Sequence, residues 1–326
     1  MRFGTGVQAA SGTRRKERPL FFITKNLALS ADSSLRAKSG WACLHVYKPW
    51  NAREAKRDGT VVPWDSLSEE QKWYACVATP MFGPDGQSVL RPDTLEGNRH
   101  RGRLLDWAGT YGWRIAMTEW NWNGWSPEPM IGHLWTKGVG AAGFLNAILR
   151  AGGLVDLATQ SMLVGQRWPL CAVHVPRDSM VAPHHHPTGL VTALYSRYHG
   201  DRRLDATLQG VPVYAQPLQI GEIMPQSVVA MTDIVVTADS ATVFLHVINR
   251  HFTAPCRISV WPEGFALDGV AQVHTLAGPE PFEAGTRDCA GGAKLEHRTV
   301  PGERGQIQVD LPARSVSVVA LGRRTR

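Results

Sequence analysis

The apolar pattern of this chain changes character once, near residue 212, and that change limits what the chain can fold into. Before it, short apolar runs alternate with longer stretches at helical spacing. Leu20-Phe21-Phe22-Ile23, residues 41–47 and residues 114–118 read as strands, and residues 66–79 and 133–154 as helices. The first helix opens on Ser66 or Ser68 followed by Glu69 and Glu70, a capping pattern. The second sets Phe144, Leu145, Ile148 and Leu149 on one face and runs out at Gly152-Gly153. Residues 158–164 form a short apolar run, and residues 188–208 read as a further helix. Strand and helix in alternation indicate βα units around a parallel sheet.

Past Pro212, Pro217 and Pro225 the pattern becomes one of short strands separated by turns. Residues 227–231, 233–237, 241–248, 257–261, 270–275, 306–311 and 315–321 are strand-like, with Asp239-Ser240, Pro262-Glu263-Gly264 and Pro301-Gly302 as punctuation. Such a series predicts an antiparallel β-sandwich. A complete (β/α)8 barrel takes about 250 residues, more than the chain provides before the pattern changes, and the strands read there amount to half a barrel. The expected fold is therefore α/β plus all-β: an incomplete (β/α)8 TIM barrel over residues 39–212, then a β-sandwich over 213–326. Residues 1–38 are an N-terminal segment without a clear place.

Composition excludes several classes. A hydrophobic content of 43% with 19% charged residues is ordinary for a globular protein. The net charge of +7 invites a polyanion, but basic residues gather at the ends, in Arg14-Arg15-Lys16 and in Arg323, Arg324 and Arg326, and no nucleic-acid motif accompanies them. Five widely spaced cysteines with no CxxC pair predict neither a disulfide framework nor a zinc knuckle and suit a reducing compartment. No window approaches the ~20 apolar residues of a membrane span, and no signal peptide is visible. The expectation is a cytoplasmic protein with no membrane or nucleic-acid partner.

One cluster carries chemistry. Glu119 ends the strand Arg114-Ile115-Ala116-Met117-Thr118 and is followed by Trp120-Asn121-Trp122-Asn123-Gly124-Trp125. Rings suit the apolar faces of a sugar and amides suit its hydroxyls. Each residue has a plainer alternative: Glu119 as a strand-end cap, Trp122 and Trp125 as core or interface rings, Asn121 as a loop anchor, His45 as a buried hydrogen-bonded histidine. Gln166 and Trp168 either touch a sugar or anchor a loop. His184-His185-His186 suggests a metal, but consecutive histidines do not readily face one ion and no carboxylate is paired with them, so no metal is expected. Lys137-Gly138-Val139-Gly140 lacks the strand that a phosphate loop requires.

From about Ser39 onward the chain resembles the C-terminal two-thirds of a glycoside hydrolase family 51 α-L-arabinofuranosidase. The resemblance rests on Leu44-His45-Val46-Tyr47, on Glu119-Trp120-Asn121, on Met162-Leu163-Val164-Gly165, and on the stretch from Pro187 to Ser196. It implies that Glu119 is the catalytic nucleophile at the end of a barrel strand and that His45 and Tyr47 line the sugar site. With them Asn121, Trp122, Trp125 and Gln166 become the expected substrate contacts. Arabinofuranosyl oligosaccharides or polysaccharide side chains become the expected partner, with no cofactor; a homo-oligomer is also implied. The family's acid/base glutamate follows an asparagine, yet no Asn-Glu dipeptide occurs in this chain; Glu96-Gly97-Asn98 has the wrong order. Met162 stands where many family members carry a glutamine.

Retaining glycosidases hold two carboxyl groups about 5–5.5 Å apart, one attacking the anomeric carbon and one protonating the leaving oxygen. With one of them missing, two expectations follow. The first is an arabinofuranosidase-like hydrolase acting on arabinose-containing hemicellulose, truncated and weakly active or inactive alone. The second is a non-catalytic carbohydrate-binding protein or vestigial hydrolase fragment.

Overall fold

Asp58 and Gly59 both take positive φ, 50° and 79°, which a two-residue type I′ hairpin turn requires. They join β3 (Glu54–Arg57) to β4 (Thr60–Pro63), after the strands β1 (Phe22–Thr24) and β2 (Trp41–Lys48). The computed structural model of the chain describes residues 22–24, 40–48, 54–78, 110–122, 134–166, 171–220, 225–263, 266–278, 293–302 and 306–323. Helix α1 (Glu69–Val77) starts on Ser68, whose side chain accepts from the Gln71 amide while the Gln71 side chain accepts from the Ser68 amide. Gln71 thus closes the capping box, and Glu69 and Glu70 occupy the first turn. Next come β5 (Arg114–Trp122), α2 (Trp135–Ala151) and β6 (Val155–Gln160). Helix α2 stops at Gly152, whose φ of 54° suits glycine. The strands β1, β2, β5 and β6 form one parallel sheet in that order. The apolar run read at residues 158–164 is displaced: the strand lies earlier, and the chain turns at Ser161 and Met162.

A small sheet follows, of β7 (Val164–Gly165), β8 (Val173–His174) and β9 (His184–His185), and then α3 (Pro187–Arg197) with proline at its first position. The helix read over 188–208 ends early. Gly200 packs against the Ala238 backbone where a Cβ would overlap, and its amide donates to Thr237 Oγ1 at 2.9 Å. That contact draws the chain into β10 (Arg202–Leu204). Beyond it come β11 (Val213–Gln216), β12 (Gln219–Ile220), β13 (Gln226–Ala230), β14 (Thr232–Ala238), β15 (Thr242–Asn249) and β16 (Cys256–Val260). The last are β17 (Leu267–Ala277), β18 (Lys294–Pro301), β19 (Ile307–Leu311) and β20 (Ser315–Arg323). Six strands pair antiparallel in the order β10-β14-β15-β20-β17-β18, and β16 pairs β19. Two further sheets are small: β11 pairs β13, and β12 returns to extend the β3–β4 hairpin.

Alternation decides how the six-stranded sheet is covered. Val235, Phe244, Ile248, Leu276, Val316 and Val318 point to α2 and α3 and share one core with Ile115, Met117 and Trp120. Val243, Leu245, Val247, Val273, Val319 and Leu321 point the other way, onto Ile258 of β16 and Ile307, Val309 and Leu311 of β19. A buried ion cluster fastens the helix layer to this sheet. Asp233 on β14 meets Arg250 Nη2 at 3.0 Å and also pairs with Arg150 of α2. Burial opposes ionisation of Asp233, but the two guanidinium groups overcome it and hold the carboxyl below its usual range. Arg250 also donates to the carbonyls of Val77 at 3.1 Å and Ala230 at 3.0 Å. Asp233→Ala is expected to cost roughly 3–5 kcal/mol, since it strands the buried Arg250 and the half-buried Arg150. Urea unfolding at neutral pH measures this, and a loss under ~1 kcal/mol would mean that the cluster is not a fastening.

Candidate active site

Strand β5 is irregular where it reaches its acid. Against β2, Cys43 pairs Ala116 and His45 pairs Glu119, so three steps along β5 match two along β2. Against β6, Met117 pairs Ala158 and Trp120 pairs Gln160, again three steps against two. Both neighbours therefore record one extra residue, a β-bulge within residues 117–119. Bulges re-aim side chains and recur beside active sites. Without it, Trp120 would face away from Met117; with it, both join the core under α2. Trp120 stacks on Phe144 with ring centroids 5.9 Å apart. Thr118 and Glu119 are left on the opposite face, both half-buried, and Thr118 Oγ1 lies 2.9 Å from Cys43 Sγ.

The other expected residues divide around this point. His45 and Tyr47 are placed by strand position, in register with Glu119 and Asn121. Asn121 is fully buried and donates from Nδ2 to the Ser161 carbonyl at 3.0 Å, tying the ends of β5 and β6 together. Trp122 is buried to 1%. Its indole lies against Gly140 of α2, where a Cβ would overlap it, so no face of the ring is open to a sugar. Gln166 is exposed just past β7. Trp125, Trp168 and Glu96 lie outside the described residues. Met162 takes φ 56° and its carbonyl accepts from the Ala172 amide at 2.9 Å.

Two groups were not among the expected site residues: Lys137, which was weighed only as part of a phosphate loop, and Gln160. Lys137, buried to 1%, lies with Nζ 6.0 Å from the Trp122 ring centroid. Burial lowers its amine to about 7, with the Cys171 thiol partly opposing the shift. Its signal was a lysine alone among apolar and small residues up to Arg150 in Trp135–Ala151. Gln160 ends β6 beside Trp120, buried, with both amide atoms unpartnered among the described residues.

The four strands of the parallel sheet carry two carboxylates, Glu119 and Asp156. They stand at opposite ends. Asp156 accepts from Arg114 Nη1 at 2.6 Å and Trp41 Nε1 at 2.9 Å, and Arg114 lies five residues before Glu119, ~15 Å along a strand. Asp156 therefore does not supply a second carboxyl beside Glu119. The rings of His174, His184 and His186 gather with centroids 5.2–5.9 Å apart. Among the described residues, no group of three or more His, Cys, Asp or Glu is arranged to hold a metal ion. No helix among them is long and apolar enough to cross a membrane.

No family model and no curated protein matches the sequence. Solved structures do match. The α-L-arabinofuranosidase of Thermotoga maritima, in an arabinose complex, superposes with a TM-score of 0.63 at 18% identity, over 91% of this chain and 55% of that one. The family 51 arabinofuranosidase of Xanthomonas axonopodis pv. citri gives 0.62 at 15%, over 96% and 59%. CelM2, a bifunctional glucanase-xylanase from a metagenome library, gives 0.53 at 16%, over 92% and 46%. The likeness is one of fold. The chain spans about half the length of these structures, and since the same fold serves a glucanase-xylanase, activity must be argued from the site.

Lys137 gives this region a pH signature. An unfolded lysine titrating at 10.5 keeps a proton that the folded amine, at about 7, has already released. The unfolded state binds more protons across that window, so stability should rise with pH from 7 toward 10.5, by at most about 1.4 kcal/mol per pH unit. Lys137→Met should be more stable than wild type at pH 7 and should flatten the rise. Urea titrations at several pH values test this; an unchanged slope would remove Lys137 as its source.

Proposed function

We propose that this chain is the C-terminal part of a retaining glycoside hydrolase of the α-L-arabinofuranosidase type. In this reading an incomplete (β/α)8 barrel over residues 39–212 precedes an antiparallel β-sandwich over 213–326, with strands pairing across that boundary. The bulge carries the reading: it turns Glu119 away from the tryptophan core, at the C-terminal end of a parallel strand, where barrel enzymes keep their catalytic groups. Glu119 is the nucleophile. Its carboxylate attacks the anomeric carbon of an arabinofuranosyl unit, the glycosidic bond breaks, and water then releases the sugar. His45, Tyr47, Trp125 and Gln166 line the sugar, while Asn121 and Trp122 hold the strand end in place. This chemistry requires no metal or cofactor, and the substrate class is arabinose-containing hemicellulose.

A second reading, carbohydrate binding without catalysis, is favoured by the lack of another carboxylate on the sheet beside Glu119. An aryl arabinofuranoside separates the two, because a nitrophenolate leaves without being protonated. Natural arabinosides need general acid assistance, which contributes about 10²–10⁴-fold, and should be slower than the aryl substrate by a factor of that order. Glu119→Ala should abolish nitrophenol release. Release unaffected by that substitution would end the nucleophile assignment, and binding of arabino-oligosaccharides with no release would favour the second reading.

A further inference from the structure

Helices α2 and α3 begin side by side. A Cβ on Gly138 would lie 3.2 Å from the Cβ of Pro187, so the first turn of α2 touches the first residue of α3. The N-terminus of a helix carries positive potential and draws anions or acidic side chains. Here neither first turn holds an acid, and neither Leu134 nor His186 caps its helix with a side chain.

A lysine stands there instead. Lys137, in the first turn of α2, is 1% exposed. Helical side chains lean toward the N-terminus, so the amine is carried to the end where a cation is least favoured. The Cys171 thiol acts on it, and no carboxylate among the described residues does. Further donors lie close by. Trp122 Nε1 rests over Gly140, which shares a face of α2 with Lys137, and the ring centroid is 6.0 Å from Nζ. Trp122 Nε1 and Thr188 Oγ1, in the first turn of α3, are buried and meet no partner among the described residues. Native interiors give such groups a partner, an ion included. Water would bring two more protons to a place where donors are already in excess; an anion brings only acceptors.

We propose that the joint start of α2 and α3 binds a small inorganic oxyanion of the sulfate or phosphate class, held by the Lys137 ammonium and the Trp122 indole N–H, with Thr188 completing the site from the second helix. The anion answers both helix ends and the lysine together. Burial lowers the Lys137 amine to about 7, so binding takes up a proton and strengthens as pH falls. His186, at the start of α3, is the other titratable side chain at this junction.

Isothermal titration calorimetry of the whole chain with sodium sulfate, at constant ionic strength, tests this. Sulfate keeps its charge between pH 6 and pH 9, so a change in affinity across that range belongs to the protein. One saturable site is expected at pH 6, weaker by about 100-fold at pH 9, two pH units above the point where the amine gives up its proton. Lys137→Met should remove the site. Should that variant fail to fold, Trp122→Phe, which keeps a ring against Gly140 but lacks the N–H, is expected to weaken binding at pH 6 by about tenfold. The proposal is overturned by no saturable binding at pH 6, by equal affinity at the two pH values, or by an affinity that these substitutions leave unmoved. Binding that keeps its pH dependence in Lys137→Met would belong to His186 and would overturn it as well.

Discussion

Arg250 is 4% exposed, and three elements, α1, β13 and β14, meet on it. Its guanidinium pairs with Asp233 on β14 and donates to the carbonyls ending α1 and β13. Its own carbonyl accepts from Trp73 Nε1 of α1 at 2.7 Å. Arg150 reaches the same Asp233 from the end of α2. A buried cation held by several acceptors fixes position more sharply than apolar contact, because each bond has a direction and each unmade bond is costly. The helix layer is thereby held in one orientation on the antiparallel sheet, and the parallel sheet rests on that layer.

The site inherits its geometry from this arrangement. Trp120 and Phe144 stack between β5 and α2, and Trp122 fills the space that Gly140 leaves open. To bring Met117 and Trp120 into one core, the strand takes in an extra residue, and the bulge sets Glu119 on the far face. A packing demand on one side of the sheet thus aims the carboxylate on the other.

Much of the fold was legible because it is written in local pattern. The capping serine, the long apolar helix ending at Gly152 and most antiparallel strands follow periodicity and turn chemistry. Other features were not, and three of them show why. Strand β18, Lys-Leu-Glu-His-Arg-Thr-Val-Pro, reads as a polar loop because it is an edge strand whose charges face water. The short strand β10 was absorbed into a helix, since its pairing with β14 is a long-range contact. Lys137 passed as a helix residue, because burial depends on what packs around it.

The order of residues determined that a carboxylate ends a strand among tryptophans and amides, that βα units come first, and that turn-punctuated strands follow. Those are properties of neighbours in the chain. Only the tertiary structure decided which face Glu119 takes, which tryptophans are core, and that Asp156 sits at the far end of the sheet from Glu119. The physical reason is that a bulge exists only relative to its neighbouring strands. Here two of them, β2 and β6, each had to be in register with β5 before the carboxylate had a direction.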